Sequence, residues 1–325
     1  MNFLKNIFWN SEEVRLRAAY RITLQFILAL GIMGGIFALL GELIPGVKFE
    51  AAAPWWVFFA MACVRFASGI GGVWPAGRFL DRRNFGDFGF HINKEWWIDF
   101  GFGLGLGAVL MTIIFFVQSG AGWVSVTDTF YVHNNYSNFV FPLAIVMLVF
   151  ISVGFQEEIT TRGYLLKNLA EGLNLKKINP NIAIIIAWIS TSALFGYYHL
   201  GNPNATWIST INIALGGLFF GMAYVMTGEL AIPIGLHISW NFFQGNVFGF
   251  PVSGLTIPRD VVTFIKIDQT GPEIWTGGAF GPEGGLIGLG AIILGTFITL
   301  FWLRIRRGKE NIKIMTSLAV YKKRN

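Results

Sequence analysis

The chain alternates long apolar stretches with short polar ones. Apolar runs of membrane length occupy residues 19–43, 54–76, 97–119, 138–156, 182–199, 207–227, 230–250 and 285–304. Each is close to the roughly 20 residues that a helix needs to cross a bilayer. The pattern therefore predicts an all-α, polytopic transmembrane helical bundle of about eight spans. No linker, low-complexity tract or repeat of fixed period interrupts it, so residues 1–325 read as a single membrane domain, with a long Gly- and Pro-containing loop at 251–284. The first 17 residues are too polar and the first run too long for a cleaved signal peptide, and residues 2–17 are expected to form an interfacial helix. The glycine series GFGLGLG at 101–107 lies inside a run with no strand before it. Its small residues predict close helix approach rather than a nucleotide loop, as do Gly217 and Gly221.

Composition agrees with this reading: 54% of residues are hydrophobic, 13% are charged and the mean hydropathy is +0.58. Charge adds an orientation, because Lys and Arg favour cytoplasmic loops. With the N-terminus inside, Lys5, Arg15 and Arg17 are cytoplasmic, followed by Arg78, Arg82, Arg83 and Lys94, then Lys167, Lys176 and Lys177. The tail carries Arg304, Arg306, Arg307, Lys309, Lys313, Lys322, Lys323 and Arg324. The loops left outside are poor in basic residues: Lys48 alone in 44–53, none in 120–137 or 200–206, and two against four acidic residues in 251–284. Both termini are expected in the cytoplasm. The net charge of +6 is accounted for by this sorting and by attraction to anionic membrane lipids, so no nucleic-acid partner is expected. Trp9, Trp55, Trp56, Trp96, Trp97, Trp123, Trp207, Trp275 and Trp302 fall near run ends, where indole rings favour the interface. The single cysteine, Cys63, permits no internal disulfide.

Ionisable residues inside apolar runs are costly and call for partners or a watery cavity. Arg21, Arg65 and Asp99 each stand alone in their runs and are read as structural pairings or snorkelling side chains. The second half differs, because Glu157, Glu158, Arg162, His199, His237 and Asn241 gather there. Residues 138–172 read as one long helix. Counting back from Gly172 to Glu157 climbs about 22 Å, and counting from Ile182 to His199 climbs about 25 Å, so the two share a depth in an antiparallel hairpin. His237 stands roughly 12 Å above the turn near Gly228 and Glu229 and reaches that level if the hairpin protrudes by about 10 Å. The expected result is a polar intramembrane cavity nearer the cytoplasmic face.

Spacing then divides the labour. Glu158 and Arg162 form an i, i+4 pair with the acid N-terminal, which suits a structural tie. Glu157 points about 100° away and stays available. Phe195 shares a face with His199 and reads as a wall residue, and His237 shares one with Asn241, an amide for which interhelical bonding alone is a sufficient reason. Singly, each histidine reads as polar filler; three costly side chains at one depth do not. Glu157 suits taking a proton from water, His199 holding that water, and His237 with Asn241 donating to an oxyanion.

At these residues the chain resembles the CPBP family of intramembrane proteases, the CAAX-protease and bacteriocin-processing (Abi-type) group. Its ordered motifs EExxxR, FxxxH and HxxxN stand here as EEITTR (157–162), FGYYH (195–199) and HISWN (237–241). The resemblance covers about 150–260, with a catalytic core expected at about 138–250. It implies a helical bundle with a conical cavity open to the cytoplasm and hydrolysis of a peptide bond in a membrane-anchored or prenylated substrate. By position it implies Glu157 and His199 as water activators and His237 with Asn241 as the oxyanion hole. A divalent metal such as zinc is the alternative cofactor, with Glu157, His199 and His237 as candidate ligands. In the absence of an HExxH pattern, no tightly bound metal is the favoured expectation. The competing readings are a non-catalytic scaffold or immunity-type protein and an ion-coupled transporter, although no internal symmetry supports the latter.

Overall fold

The structure is a computed structural model that describes residues 7–43, 46, 48, 50–176, 178–308, 310 and 312–321. Lys5, Lys177, Lys309, Lys322, Lys323 and Arg324 lie outside the described residues. Among these residues seven helices are long and apolar enough to cross a membrane. They are α1 (Ala18–Leu43), α2 (Trp55–Pro75, extended by a π-helical turn at Ala76–Asp81) and α3 (Lys94–Gly120). Next come α4 (Val140–Glu158), which continues through a π-helical stretch at Ile159–Leu166 into α5 (Lys167–Leu173), then α6 (Pro180–His199) and α7 (Trp207–Thr227). The run read at 230–250 is shorter: α8 covers Ala231–Phe242, with a π-helical turn at Phe243–Val247. The last span is α9 (Leu286–Arg307). The protein is thus an integral, multi-pass helical membrane protein.

Every residue of α8 is buried, which a 12-residue helix achieves by sitting inside the bundle. Glycines bring its neighbour close. A Cβ on Gly103 of α3 would lie 2.5 Å from the Ile232 carbonyl oxygen, and one on Gly107 would lie 2.7 Å from the Trp240 nitrogen. From the other side, a Cβ on Gly235 would lie 2.4 Å from the Phe100 carbonyl oxygen. Small residues on both partners thus let two backbones touch, as the glycine series predicts; Gly101 and Gly105 face open space. α7 packs on α6 in the same way, with Gly217 against the Ser192 backbone and Gly221 beneath the Trp188 indole.

The bundle has two distinct ends. At one, the 82–93 segment, the turns after α5 and α7, and residues 312–321 meet: Leu230 N bonds to Gly89 O at 3.0 Å, Met315 N to Val225 O at 3.0 Å, and Asn174 Nδ2 to Ala319 O at 2.9 Å. Within the described part of the N-terminal segment an antiparallel pair, β1 (Trp9–Asn10) and β2 (Arg15–Leu16), joins them where the interfacial helix over 2–17 was expected; residues 2–6 of that expectation lie outside the described residues. The opposite end carries β3 (Val124–Val132) and β4 (Val262–Gln269), an antiparallel ribbon with an irregularity between Val126 and Asp128 that the all-α reading omits.

Two of the isolated charges are paired. Arg21 Nε lies 2.8 Å from Asp81 Oδ1 and 2.9 Å from Asn168 Oδ1, beside Arg15, which bonds to Glu171 at 2.8 Å, and Arg83, which also pairs with Glu171. Asp99 accepts from Trp302 Nε1 at 2.9 Å and lies 3.4 Å from Arg307. Such buried ion pairs hold when both partners are present, and they tie the N-terminal hairpin and α1 to α5.

Candidate active site

α4 ends where the site begins. Its helix widens into π-helical turns directly after Glu158, and Thr161 Oγ1 donates to the Glu157 carbonyl at 2.5 Å. Insertions of this type recur at functional sites because they turn side chains that a regular helix would aim elsewhere. Gly154, one turn before Glu157, allows α4 to rest on α8: its missing Cβ would lie 2.8 Å from Ile238 Cγ1 and 3.6 Å from His237 Cβ.

The resulting cavity has a volume of about 330 Å³, and its wall includes Glu157, Phe195, His199, His237 and Asn241. Glu158 and Arg162 stand behind that wall. Glu158 is fully buried and accepts from Arg162 Nη1 at 2.8 Å, and the same oxygen lies 2.8 Å from His237 Nδ1. Arg162 also donates to the Gly217 carbonyl at 3.3 Å and sits over the Phe195 ring, 4.5 Å from its centroid. A carboxylate only accepts, so His237 donates from Nδ1 and its Nε2 faces the cavity, 3.9 Å from Glu157 Oε2. His199 Nδ1 lies 2.8 Å from the Phe195 carbonyl, which can only accept, so the neutral ring carries its lone pair on Nε2. Asn241 is buried one turn beyond His237 on the same face.

Two further charged residues line the cavity, and sequence reasoning did not place them there. Arg65 of α2, read as a lone structural charge, reaches the wall with Nη1 3.7 Å from Glu157 Oε1 and 3.2 Å from Gln156 Oε1. Glu283, in the turn before α9, is buried and accepts from Gln244 Nε2 at 2.9 Å and from Ser253 N at 3.0 Å and Oγ at 2.5 Å. Burial holds the Glu283 carboxyl above the usual carboxylate range, opposed by those hydrogen bonds and by the nearby His199. Neither residue belongs to a recognisable spacing; the costly position of Arg65 inside an apolar run was the one signal, and Glu283, in the 251–284 loop, offered none.

The cavity occupies the half of the bundle that carries the ribbon, since Asn202, Ser253, Leu255 and Glu283 come from the connections at that end. The described ends of the chain and most of the described basic residues lie at the other end. A cavity open to the cytoplasm and cytoplasmic termini were both expected, and the cavity-lining connections stand at the end of the bundle opposite the described ends of the chain.

Among the described residues no three His, Cys, Asp or Glu side chains gather as a metal-ligand set. Glu157, His199 and His237 do not form one in this arrangement.

Fold and site together define a membrane-embedded helical protein with acid–base side chains around a buried cavity. Residues 139–243 match the family model described as type II CAAX prenyl endopeptidase Rce1-like, so this segment is similar to CAAX-type endopeptidases, hydrolases of peptide bonds. The matched segment includes all seven motif residues and neither Arg65 nor Glu283. Neither a curated protein nor a solved structure matches the chain.

Proposed function

We propose that the protein hydrolyses a peptide bond in a membrane-anchored or lipid-modified substrate, using water activated by Glu157 and His199. The observation that carries this reading is the meeting of Glu157, His199, His237 and Asn241 at one cavity. Glu157 takes a proton from water while the Nε2 lone pair of His199 accepts a hydrogen bond from the same molecule. Water oxygen bonds to the carbonyl carbon, and the carbonyl oxygen becomes an oxyanion held by His237 and Asn241. His237 donates from Nε2 only when its ring carries both protons, with Glu158 accepting at Nδ1 and Glu157 beyond Nε2. Glu158 and Arg162 position that ring from behind. Val149, Phe150, Val153, Ile213 and Phe220 give the cavity an apolar wall suited to a lipid-linked or apolar peptide.

Cleavage of matched peptides with and without an S-prenyl cysteine, by full-length protein in bilayers, tests the reading. Wild type is expected to cleave the lipid-modified form faster. Glu157→Gln and His199→Ala are expected to lose about 10²–10⁴-fold in rate while eluting as single species. Retained cleavage by both variants rejects the assignment.

We also propose that the termini are cytoplasmic, on the strength of the basic residues at their end of the bundle. The cavity then opens in the non-cytoplasmic half.

A further inference from the structure

We propose that Arg65 is a further catalytic group of this site: the permanent cation that receives the negative charge of the tetrahedral intermediate. The inference rests on Glu157 being the base.

Arg65 lies ten residues into α2, at mid-span, where an unpaired guanidinium is costly. A simple counter-ion for Glu157 would close on it at about 2.7–2.9 Å, in bidentate fashion. Here the separation is 3.7 Å, too long for a hydrogen bond, and both side chains keep exposed surface on the cavity, 31% for Arg65 and 23% for Glu157. Gln156 Oε1 steadies Nη1 at 3.2 Å, while Nε and Nη2 have no protein acceptor among the described residues. Those N–H groups remain to be used. Arg65 and His237 flank the Glu157 carboxylate on its two oxygens, Arg65 near Oε1 and His237 Nε2 near Oε2.

The reaction moves charge across this gap. As the water oxygen bonds to the carbonyl carbon, one water proton passes to Glu157 and the carbonyl π pair moves onto oxygen. A unit of negative charge leaves the carboxylate and appears on the oxyanion beside it. When the intermediate collapses, the C–N bond breaks and the proton goes from Glu157 to the leaving nitrogen. A cation adjacent to both positions follows the charge from one to the other. His237 can donate there only when doubly protonated, whereas a guanidinium is charged throughout.

The test measures binding of two uncleavable analogues of an S-farnesyl-cysteine tetrapeptide to full-length protein in nanodiscs. One is a phosphinate, tetrahedral and anionic at the scissile position; the other is a neutral ketomethylene isostere. Wild type is expected to prefer the phosphinate, and Arg65→Met to lose about 10²-fold on the phosphinate alone, as for removal of one oxyanion donor. Arg65→Lys is expected to keep part of the preference. Equal loss on both analogues, undiminished phosphinate binding in Arg65→Met, or no preference in wild type overturns the proposal. Glu157→Gln cleavage reports separately on the base: wild-type rates there sink the reading of Glu157 whatever the analogues show.

Discussion

Glu283 shows how a single carboxyl can be read from its surroundings. It is held by Gln244 and Ser253, neutral donors, in a buried turn, and its proton affinity is raised by that burial. A carboxyl whose folded value lies above its unfolded one binds more protons in the native state, so stability falls as pH rises from the ordinary carboxylate range through the raised value. Glu283→Gln removes this dependence. Thermal unfolding of both proteins in detergent should therefore show the wild type losing ground to the variant between acidic and neutral pH; a difference moving the other way contradicts the environment described. At this scale the sequence was informative for Glu157, Glu158, Arg162, His199 and His237, because charges and imidazoles inside apolar runs are conspicuous. It marked Arg65 only as a costly lone charge, because its partner on α4 is 92 positions away, and was silent on Glu283, which sits in a loop where an acid is unremarkable.

Elements follow from hydropathy wherever a helix faces lipid. α1, α3, α6, α7 and α9 stand close to their apolar runs, and the long helix read over 138–172 is present as α4, its π-helical stretch and α5. The exceptions have physical reasons. α8 is shielded on all sides, so its apolar run reflects burial rather than length, and its neighbours set where it stops. β3 and β4 are short ribbon strands, and VSVTDTFYV alternates small polar and β-branched residues, a weak signal beside the long runs. The N-terminal segment pairs with itself because Arg15 and Arg21 are held by Asp81 and Glu171, acids brought in from α2 and α5. The α3–α8 contact yields a prediction of its own. Gly103→Ala puts a methyl 2.5 Å from the Ile232 carbonyl oxygen, backbone that cannot yield without moving α8. A loss of about 1–3 kcal/mol is expected in detergent unfolding, with activity falling too because α8 carries His237 and Asn241. Gly105→Ala, facing open space, serves as the control and should be silent on both counts; equal effects would remove α3–α8 contact as the determinant of site geometry.

For the whole molecule, orientation is the property that the fold changes most. Most of the described basic residues and the cavity lie toward opposite ends of the bundle, so the proposed cytoplasmic placement of the basic end puts the cavity mouth on the other side of the membrane. In a Cys63→Ala background, a cysteine at Ser253 should react with a membrane-impermeant maleimide in intact cells, and one at Ser317 only after lysis; the reverse pattern inverts the assigned topology. The matched family segment, 139–243, holds the motif helices, while α2 and the turn before α9 bring Arg65 and Glu283 to the same cavity from outside it. The most direct check on water activation by Glu157 is the single-turnover cleavage rate of one membrane peptide by wild type and Glu157→Gln at equal, monodisperse protein. A fall of about 10²-fold or more is predicted for the variant; a rate within a few-fold of wild type contradicts the mechanism.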